Sequence, residues 1–230
     1  MCTIKTKKEL MLIKKACRIT DQIYLRIISG LNKHKFRTEK DLAEFINSEI
    51  AQRKLKPSFP CIVAAGPGAS EPHHTPENRR LKGFVVIDFG VVYKKYMSDM
   101  TRTVYVGKPS AGERKIYGLL LKSQITAVNR IKAGMKCRDA HLIASKVLGK
   151  WDKRFIHGLG HGIGTKIHEM PRVRKKSWRY IREGMAITVE PGIYVKNKFG
   201  IRIEDTCEIR HGKCMVLTKS GKKLTVIGPA

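Results

Sequence analysis

Acidic residues are scarce in this chain of 230 residues: 19 Asp and Glu stand against 47 Lys and Arg, which gives a net charge of +28. Cysteines are also few, and they form neither a C-x-x-C pair nor a closely spaced framework. This scatter does not indicate a disulfide scaffold; it predicts reduced thiols and a cytoplasmic protein. The six are Cys2, Cys17, Cys61, Cys137, Cys207 and Cys214.

The chain also lacks a long apolar run near its start. Charged residues interrupt positions 1–15. A signal peptide and a transmembrane span are therefore not predicted. A hydrophobic content of 42% is ordinary for a globular protein and argues against disorder. We expect a single domain over residues 1–230 that does not contact membranes.

The positive charge has two interpretations. Lys and Arg bind phosphate backbones by releasing counterions, so contact with nucleic acid or the ribosome is one hypothesis. The other is a lysine-rich surface in contact only with solvent. We favour the second, because the cations are spread along the whole chain and no nucleic-acid motif accompanies them.

The order of predicted elements is repeated in the two halves of the chain. Apolar residues recur at helical spacing over 7–29, where Gly30 is a helix stop, and a second helix is predicted from an N-cap at Thr38 to about residue 52. Two further helices are predicted over 113–132 and 138–148, and strands follow each pair. We interpret this as a structural duplication, helix–helix–strands repeated, with a cleft between the halves.

Two pairs of carboxylates lie within strand-like sequence. Asp88 and Asp99 flank a turn region with its midpoint at Tyr93–Lys94, so a hairpin would place them nearly opposite each other. Glu190 and Glu204 have their midpoint at Asn197, which predicts the same arrangement in a second hairpin. Like charges directly opposite each other are destabilising unless a cation compensates.

Histidines supply a nitrogen ligand. His157, His161 and His168 lie among four glycines in one short segment, and we choose His161 as the ligand. We predict that His157 and His168 bind substrate or stabilise the transition state. Four carboxylates and one imidazole suit two divalent ions, with Mn²⁺ or Co²⁺ preferred and Zn²⁺ or Fe²⁺ as further candidates. The pattern predicts a dinuclear metal hydrolase.

Seven segments carry a resemblance to a known family, and together they span most of the chain: SFPCIVAAGP, EPHHTP, VVIDFG, YMSDMTRT, HGLGHGIGTKIHE, ITVEPGIY and GIRIEDT. The sequence resembles the metallopeptidases of the pita-bread fold, which include methionine aminopeptidases, aminopeptidase P, prolidase and creatinase. The resemblance implies an α+β fold with two pseudo-twofold halves around a curved antiparallel sheet, and a peptide as the substrate.

The resemblance also implies roles for individual residues. Asp88 would chelate one metal ion, and Asp99 and Glu204 would bridge both ions. His161 and Glu190 would complete the coordination shell of the other ion. Two more roles follow from it: His73, with His157 and His168, would contact substrate or the tetrahedral intermediate, and Arg202 would order the ligands near Asp88. In the mechanism that we expect, Glu190 is the general base.

Within the family, the segment around Pro72-His73 and the last ligand strand look like the Xaa-Pro branch, although we expect the catalytic domain to stand without that branch's extra N-terminal domain. The function predicted first is an Xaa-Pro aminopeptidase or Xaa-Pro dipeptidase. Methionine aminopeptidase activity on nascent chains is the alternative favoured by the compact length and the charge. A third alternative is a catalytically dead binding module, against which the intact ligand set argues. Sugar hydrolysis by paired carboxylates needs one acid and one base, so we discount it.

Overall fold

The computed structural model describes residues 4–228. Among them are four α-helices, α1 (Lys7–Asn32), α2 (Glu39–Gln52), α3 (Ala111–Arg130) and α4 (Cys137–Leu148), and two 3-10 segments, Gly66–Ser70 and Gly149–Arg154. The strands of the first half are β1 (Lys56–Pro57), β2 (Ile62–Ala65), β3 (Gly83–Phe89), β4 (Val91–Tyr93), β5 (Tyr96–Met97) and β6 (Met100–Val106). Those of the second half are β7 (Gly160–Gly162), β8 (Glu169–Val173), β9 (Ala186–Val189), β10 (Gly192–Val195), β11 (Phe199–Arg202), β12 (Asp205–Arg210), β13 (Lys213–Val216) and β14 (Val226–Ile227).

The four predicted helices are confirmed. Capping boxes fix the starts of α1, α2 and α3, because a Ser or Thr side chain and a carboxylate three residues later satisfy each other's backbone N–H groups. The prediction that Gly30 ends the first helix is wrong, since α1 continues to Asn32. Gly30 lies against the ring of Phe36, and a β-carbon there would approach that ring to 2.5 Å, so close packing explains the glycine.

Each half of the chain packs a pair of helices on a sheet. In the first half α1 and α2 cover a four-stranded sheet of order β14-β6-β3-β2. Its edge strand β14 comes from the second half of the sequence, and only the β14–β6 pair is parallel. In the second half α3 and α4 pack on a five-stranded antiparallel sheet of order β13-β12-β9-β7-β8. The predicted repetition of helix, helix and strands is confirmed.

The two halves are joined by hydrogen bonds between β6 and the segment at the end of β11. The backbone N–H of Glu204 donates to the carbonyl of Thr101 over 3.0 Å. Two residues further along β6, Thr103 Oγ1 donates to the carbonyl of Arg202 and accepts from the backbone N–H of Arg202. These bonds hold the ends of the two ligand-bearing hairpins together.

The second hairpin has the predicted register. Gly192 pairs with Arg202 in the β10–β11 ladder, and Val189 pairs with Asp205 in the β9–β12 ladder. Both pairs are centred on Asn197, so Glu190 and Glu204 lie opposite each other where the ladder is interrupted. Pro191 at that interruption has no N–H to donate, and its carbonyl accepts from Ile203.

The register predicted for the first hairpin is wrong: the turn is centred one residue later than predicted, so the partner of each residue shifts by two. Tyr93 pairs with Tyr96, and the turn is formed by Lys94 and Lys95, both with positive φ. Asp88 therefore lies opposite Thr101, and Asp99 lies in the break between β5 and β6. Two adjacent lysines in the left-handed region shift the centre of the turn, which composition alone does not reveal.

The described residues bear on the predicted absence of disulfides and of membrane-spanning helices. Cys17, Cys61, Cys137, Cys207 and Cys214 are all buried, and none of them forms a disulfide with another residue of the range 4–228, whereas Cys2 lies outside that range. Among the helices of that range, none combines the length and the apolar character needed to span a bilayer.

Candidate metal centre

The predicted ligands converge at the floor of one cavity. Donor atoms of Asp99, His161 and Glu204 all lie within 4.8 Å of one another. His161 Nε2 lies 3.5 Å from Asp99 Oδ2 and 3.4 Å from Glu190 Oε1. With Asp88, these side chains line a cavity of about 490 Å³, a volume typical of small-molecule sites.

His161 reaches this point from a strand. It is the central residue of β7, and a β-bulge follows it. A β-carbon on Gly160 would come within 2.0 Å of the carbonyl of Thr188, so only glycine lets β7 lie this close to β9. His161 Nδ1 donates to the carbonyl of Gly162 over 3.1 Å, because a carbonyl can only accept. That bond leaves the lone pair on Nε2, the atom that faces the carboxylates.

Electrostatics at the site favour a bound cation. Burial, followed by repulsion from Glu204, raises the pKa of Asp99 well above its ordinary value. Burial and the charge of Glu190 do the same to the pKa of Glu204. Desolvation also raises the pKa of Glu190 and lowers that of His161 to about 4, which keeps the imidazole neutral. Neutral imidazole and crowded carboxylates are the states that metal ions stabilise.

Asp88 provides a direct test of whether the residues fit a metal. Its Oδ2 accepts a hydrogen bond from Arg202 Nη2 over 2.7 Å. Its Oδ1 is buried, and no group between residues 4 and 228 offers that atom a hydrogen bond. A buried carboxylate oxygen that lacks a donor carries a desolvation cost. A divalent ion at this point would remove it, so the donor set fits the metal that the sequence predicts.

Several neighbours that were not predicted hold the ligands in place. Thr101 Oγ1 donates to Glu204 Oε2 over 2.6 Å, and Thr188 Oγ1 donates to Glu190 Oε1 over 3.1 Å. The register could have indicated Thr101, because it lies opposite Asp88. Thr188 lies two residues before Glu190 on the same face of a strand, which is also visible in the sequence.

Arg202 begins a directed chain of hydrogen bonds. Its Nη1 donates to the hydroxyl of Tyr194 over 2.8 Å, and that hydroxyl lies 2.9 Å from His157 Nε2. His157 Nδ1 lies 2.8 Å from the carbonyl of Gly158, which can only accept. The directions are therefore fixed: Arg202 donates to Tyr194, Tyr194 to His157, and His157 to the backbone. Both ring nitrogens of His157 are thus bonded inside the protein.

The remaining predicted histidines lie at the cavity wall. His168 meets the ring of His161 edge-on with centroids 4.5 Å apart, and desolvation, followed by the proximity of His161 and Arg172, lowers the pKa of His168 to about 4. His73 lines the same cavity from the loop after the first 3-10 segment. The structure therefore gathers every predicted site residue around one cavity.

The cavity lining contains both apolar and cationic residues. Phe59, Pro60 and Ile62 are apolar residues of this lining. Arg172 and Arg174 also line the cavity, and both border a second cavity of about 630 Å³. Their place beside the site depends on the pairing of β8 with β7, in which Arg172 lies opposite His161.

Residues 11–211 match Metallopeptidase family M24. The chain belongs to this family. An Xaa-Pro dipeptidase of Pyrococcus furiosus is 38% identical to this chain in an alignment over 226 residues. The alignment covers 96% of this chain and 64% of that protein. The chain therefore spans less than two thirds of the length of this curated relative.

Solved structures agree with the family. A prolidase from Thermococcus sibiricus superposes on this M24 chain with a TM-score of 0.92 at 37% identity, covering 97% of this chain and 62% of the other. An X-Pro aminopeptidase from Thermotoga maritima gives a TM-score of 0.91 at 31% identity, covering 99% and 65%. The resemblance to the pita-bread metallopeptidases and the α+β fold predicted from it are both confirmed.

Proposed function

We propose that this chain is the catalytic part of an exopeptidase that depends on two divalent metal ions and hydrolyses Xaa-Pro bonds, as an Xaa-Pro dipeptidase or aminopeptidase. The observation that carries the proposal is the convergence of buried donor atoms from Asp99, His161 and Glu204 within 4.8 Å. Similarity to relatives named Xaa-Pro dipeptidase and X-Pro aminopeptidase supports the substrate class.

Five residues would hold the ions: Asp88, Asp99, His161, Glu190 and Glu204. Of these, Asp99 and Glu204 would contribute to holding both ions. Mn²⁺ or Co²⁺ suits this oxygen-rich set with one nitrogen, and Zn²⁺ or Fe²⁺ comes next. When bound, such ions polarise a peptide carbonyl and lower the pKa of a water molecule.

The protein's own groups would carry the proton and the developing charge. Glu190, oriented by Thr188, accepts a proton from the attacking water, whose oxygen then bonds to the carbonyl carbon of the scissile peptide. The carbon–nitrogen bond breaks as Glu190 returns that proton to the leaving amine. His73 and His168 donate N–H groups to the carbonyl oxygen as it becomes negative. His157, with both nitrogens engaged, positions Tyr194 and lines the cavity.

The charge distribution around the cavity supports an exopeptidase. The carboxylates attract the free amino group of a peptide, whereas Arg172 and Arg174 repel it and attract a carboxylate. A short peptide is therefore oriented with its carboxyl end toward the arginines. Of the residues that give the chain its net charge of +28, these two arginines are the ones to which we assign a role in substrate binding. We propose a cytoplasmic location because none of the described cysteines forms a disulfide.

A peptide panel tests the proposal. The protein is stripped of metal, reconstituted with Mn²⁺ or Co²⁺, and offered Xaa-Pro dipeptides, Xaa-Pro-Yaa tripeptides, Met-Ala-Ser and Met-Gly-Met-Met. Cleavage confined to Xaa-Pro bonds is expected, and the dipeptide-to-tripeptide ratio separates the two activities. Release of Met alone would support a methionine aminopeptidase instead. Bound metal without turnover would support the binding-module alternative.

A further inference from the structure

A buried carboxylate outside the metal centre contacts the loop that carries His73. Glu39 is the first residue of α2 and is 0% exposed. Its Oε2 accepts from His74 Nε2 over 2.8 Å and from the backbone N–H of Glu77 over 2.9 Å. Its Oε1 accepts from the N–H of Ala65 over 2.7 Å. One side chain therefore joins the end of β2 to both His74 and the far side of the loop.

The backbone of α2 strengthens the same attachment. The N–H of Glu39 donates to the carbonyl of Arg79 over 2.9 Å, and the N–H of Lys40 donates to the carbonyl of Glu77 over 3.1 Å. These N–H groups belong to the first turn of the helix, where they have no partner within the helix. The loop thus satisfies the helix N-terminus while the helix holds the loop.

His73 lies between two such attachments. On its other side, the carbonyl of Pro72 accepts from Arg202 Nη1 over 3.2 Å. His73 itself is exposed at the cavity, and neighbours in sequence fix its backbone from both directions. A displacement of about 1 Å in a catalytic group costs on the order of 100-fold in rate. Attachment of this kind is therefore what an exposed catalytic histidine on a loop requires.

A metal ion is not needed to explain this cluster. Glu39, His74 and Glu77 have donor atoms close enough to hold an ion. Both oxygens of Glu39 are nevertheless occupied by hydrogen-bond donors, Oε1 by Ala65 of β2 and Oε2 by His74 and Glu77 of the loop. The carboxylate is satisfied by these donors alone.

We propose that Glu39 is a positioning residue for catalysis, acting through His74 to hold His73 against the cavity. The inference rests on the proposed role of His73. In Glu39→Gln one carboxylate oxygen is replaced by an N–H₂ group, which cannot accept a hydrogen bond from the donors of Ala65 or of His74 and Glu77. The substitution therefore breaks part of the attachment between α2 and the loop. His73→Ala removes the group that the attachment serves. If Glu39 acts through His73, its loss matters only while His73 is present.

The test is a double-mutant cycle on the metal-loaded enzyme, using the best peptide of the panel. Glu39→Gln is expected to lower kcat by about 10–100-fold with unchanged metal stoichiometry. In the His73→Ala background the same substitution should change kcat by less than about threefold. Equal effects in both backgrounds would overturn the inference and leave the proposed function standing. An unchanged kcat in His73→Ala would refute the role of His73, and the inference with it.

The same helix offers a matched control. Glu49 on α2 is 1% exposed and binds Arg26 and Arg53, each over 2.7 Å, without touching the loop. Glu49→Gln should lower the thermal midpoint yet keep kcat. A loss of kcat equal to that in Glu39→Gln would mean that both act only through stability, which would overturn the inference.

Substitutions of His74 cover the case in which Glu39→Gln does not fold. His74→Gln keeps an N–H where Nε2 lies and should retain kcat within about threefold, whereas His74→Leu should lose about 10-fold or more. Equal kcat values for these two variants would contradict a role for the hydrogen bond to Glu39.

Discussion

Arg202 donates to one oxygen of Asp88 over 2.7 Å, while the other oxygen of that carboxylate is buried without a hydrogen-bond donor among residues 4–228. The guanidinium therefore fixes the rotation of the carboxylate and directs the free oxygen toward the cavity. Ligands oriented in this way by a second residue bind metal more tightly than free ones.

Arg202→Lys should weaken metal binding by about 10–100-fold, because a lysine ammonium cannot bond Asp88, Thr101 and Tyr194 at once. Titration of the stripped protein with Mn²⁺ measures the loss. Arg210→Lys is the control, since Arg210 is exposed on β12. Equal affinities for Arg202→Lys and the unsubstituted protein would show that Arg202 does not orient the ligands.

Glu204→Ala should abolish both metal binding and turnover, because we assign this carboxylate to both ions. Metal content by mass spectrometry and activity on the best peptide measure the two effects. Glu208→Ala, on the next strand and only half-buried, should change neither. Retention of two ions per chain by Glu204→Ala would refute the bridging assignment.

The two arginines that line the cavity predict a preference among products. If Arg172 and Arg174 receive the carboxyl end of the substrate, Pro-Glu should inhibit more strongly than Pro-Lys, by about 3–10-fold at low salt. Arg174→Gln should reduce that ratio toward one. Lys146→Gln removes the same charge from α4, outside the cavity lining, and should leave the ratio unchanged. Equal inhibition by both dipeptides at low salt would place the carboxyl end elsewhere.

A buried ion pair behind the site predicts a large effect on stability. Arg102 is 1% exposed and donates to Asp205 over 2.8 Å, and Lys222 donates to the same carboxylate over 2.6 Å. Asp205→Ala leaves Arg102 buried without its anion, so the free energy of unfolding in urea should fall by about 3–5 kcal/mol. Asp139→Ala breaks an exposed pair with Arg138 and should cost less than about 1 kcal/mol. Similar losses in both variants would show that the buried pair is not a major contributor.

Periodicity and local motifs in the sequence were enough to predict much of this protein. Helical spacing and N-caps located four helices, because those signals act within one turn of chain. The symmetry of Glu190 and Glu204 about Asn197 predicted their register, because the turn and the alternation of side chains fix it locally. The scarcity of acids made each carboxylate in apolar sequence informative.

Only the tertiary structure decided how distant segments meet. The first hairpin turns one residue later than predicted, because Lys94 and Lys95 both adopt positive φ. Arg172 borders the cavity through the pairing of β8 with β7, and Glu39 meets His74 across 35 positions of sequence. Contacts of this kind depend on packing between elements, for which a single sequence has no local signal. Local chemistry therefore determined which residues could act, and the packing of the two halves determined what holds them in place.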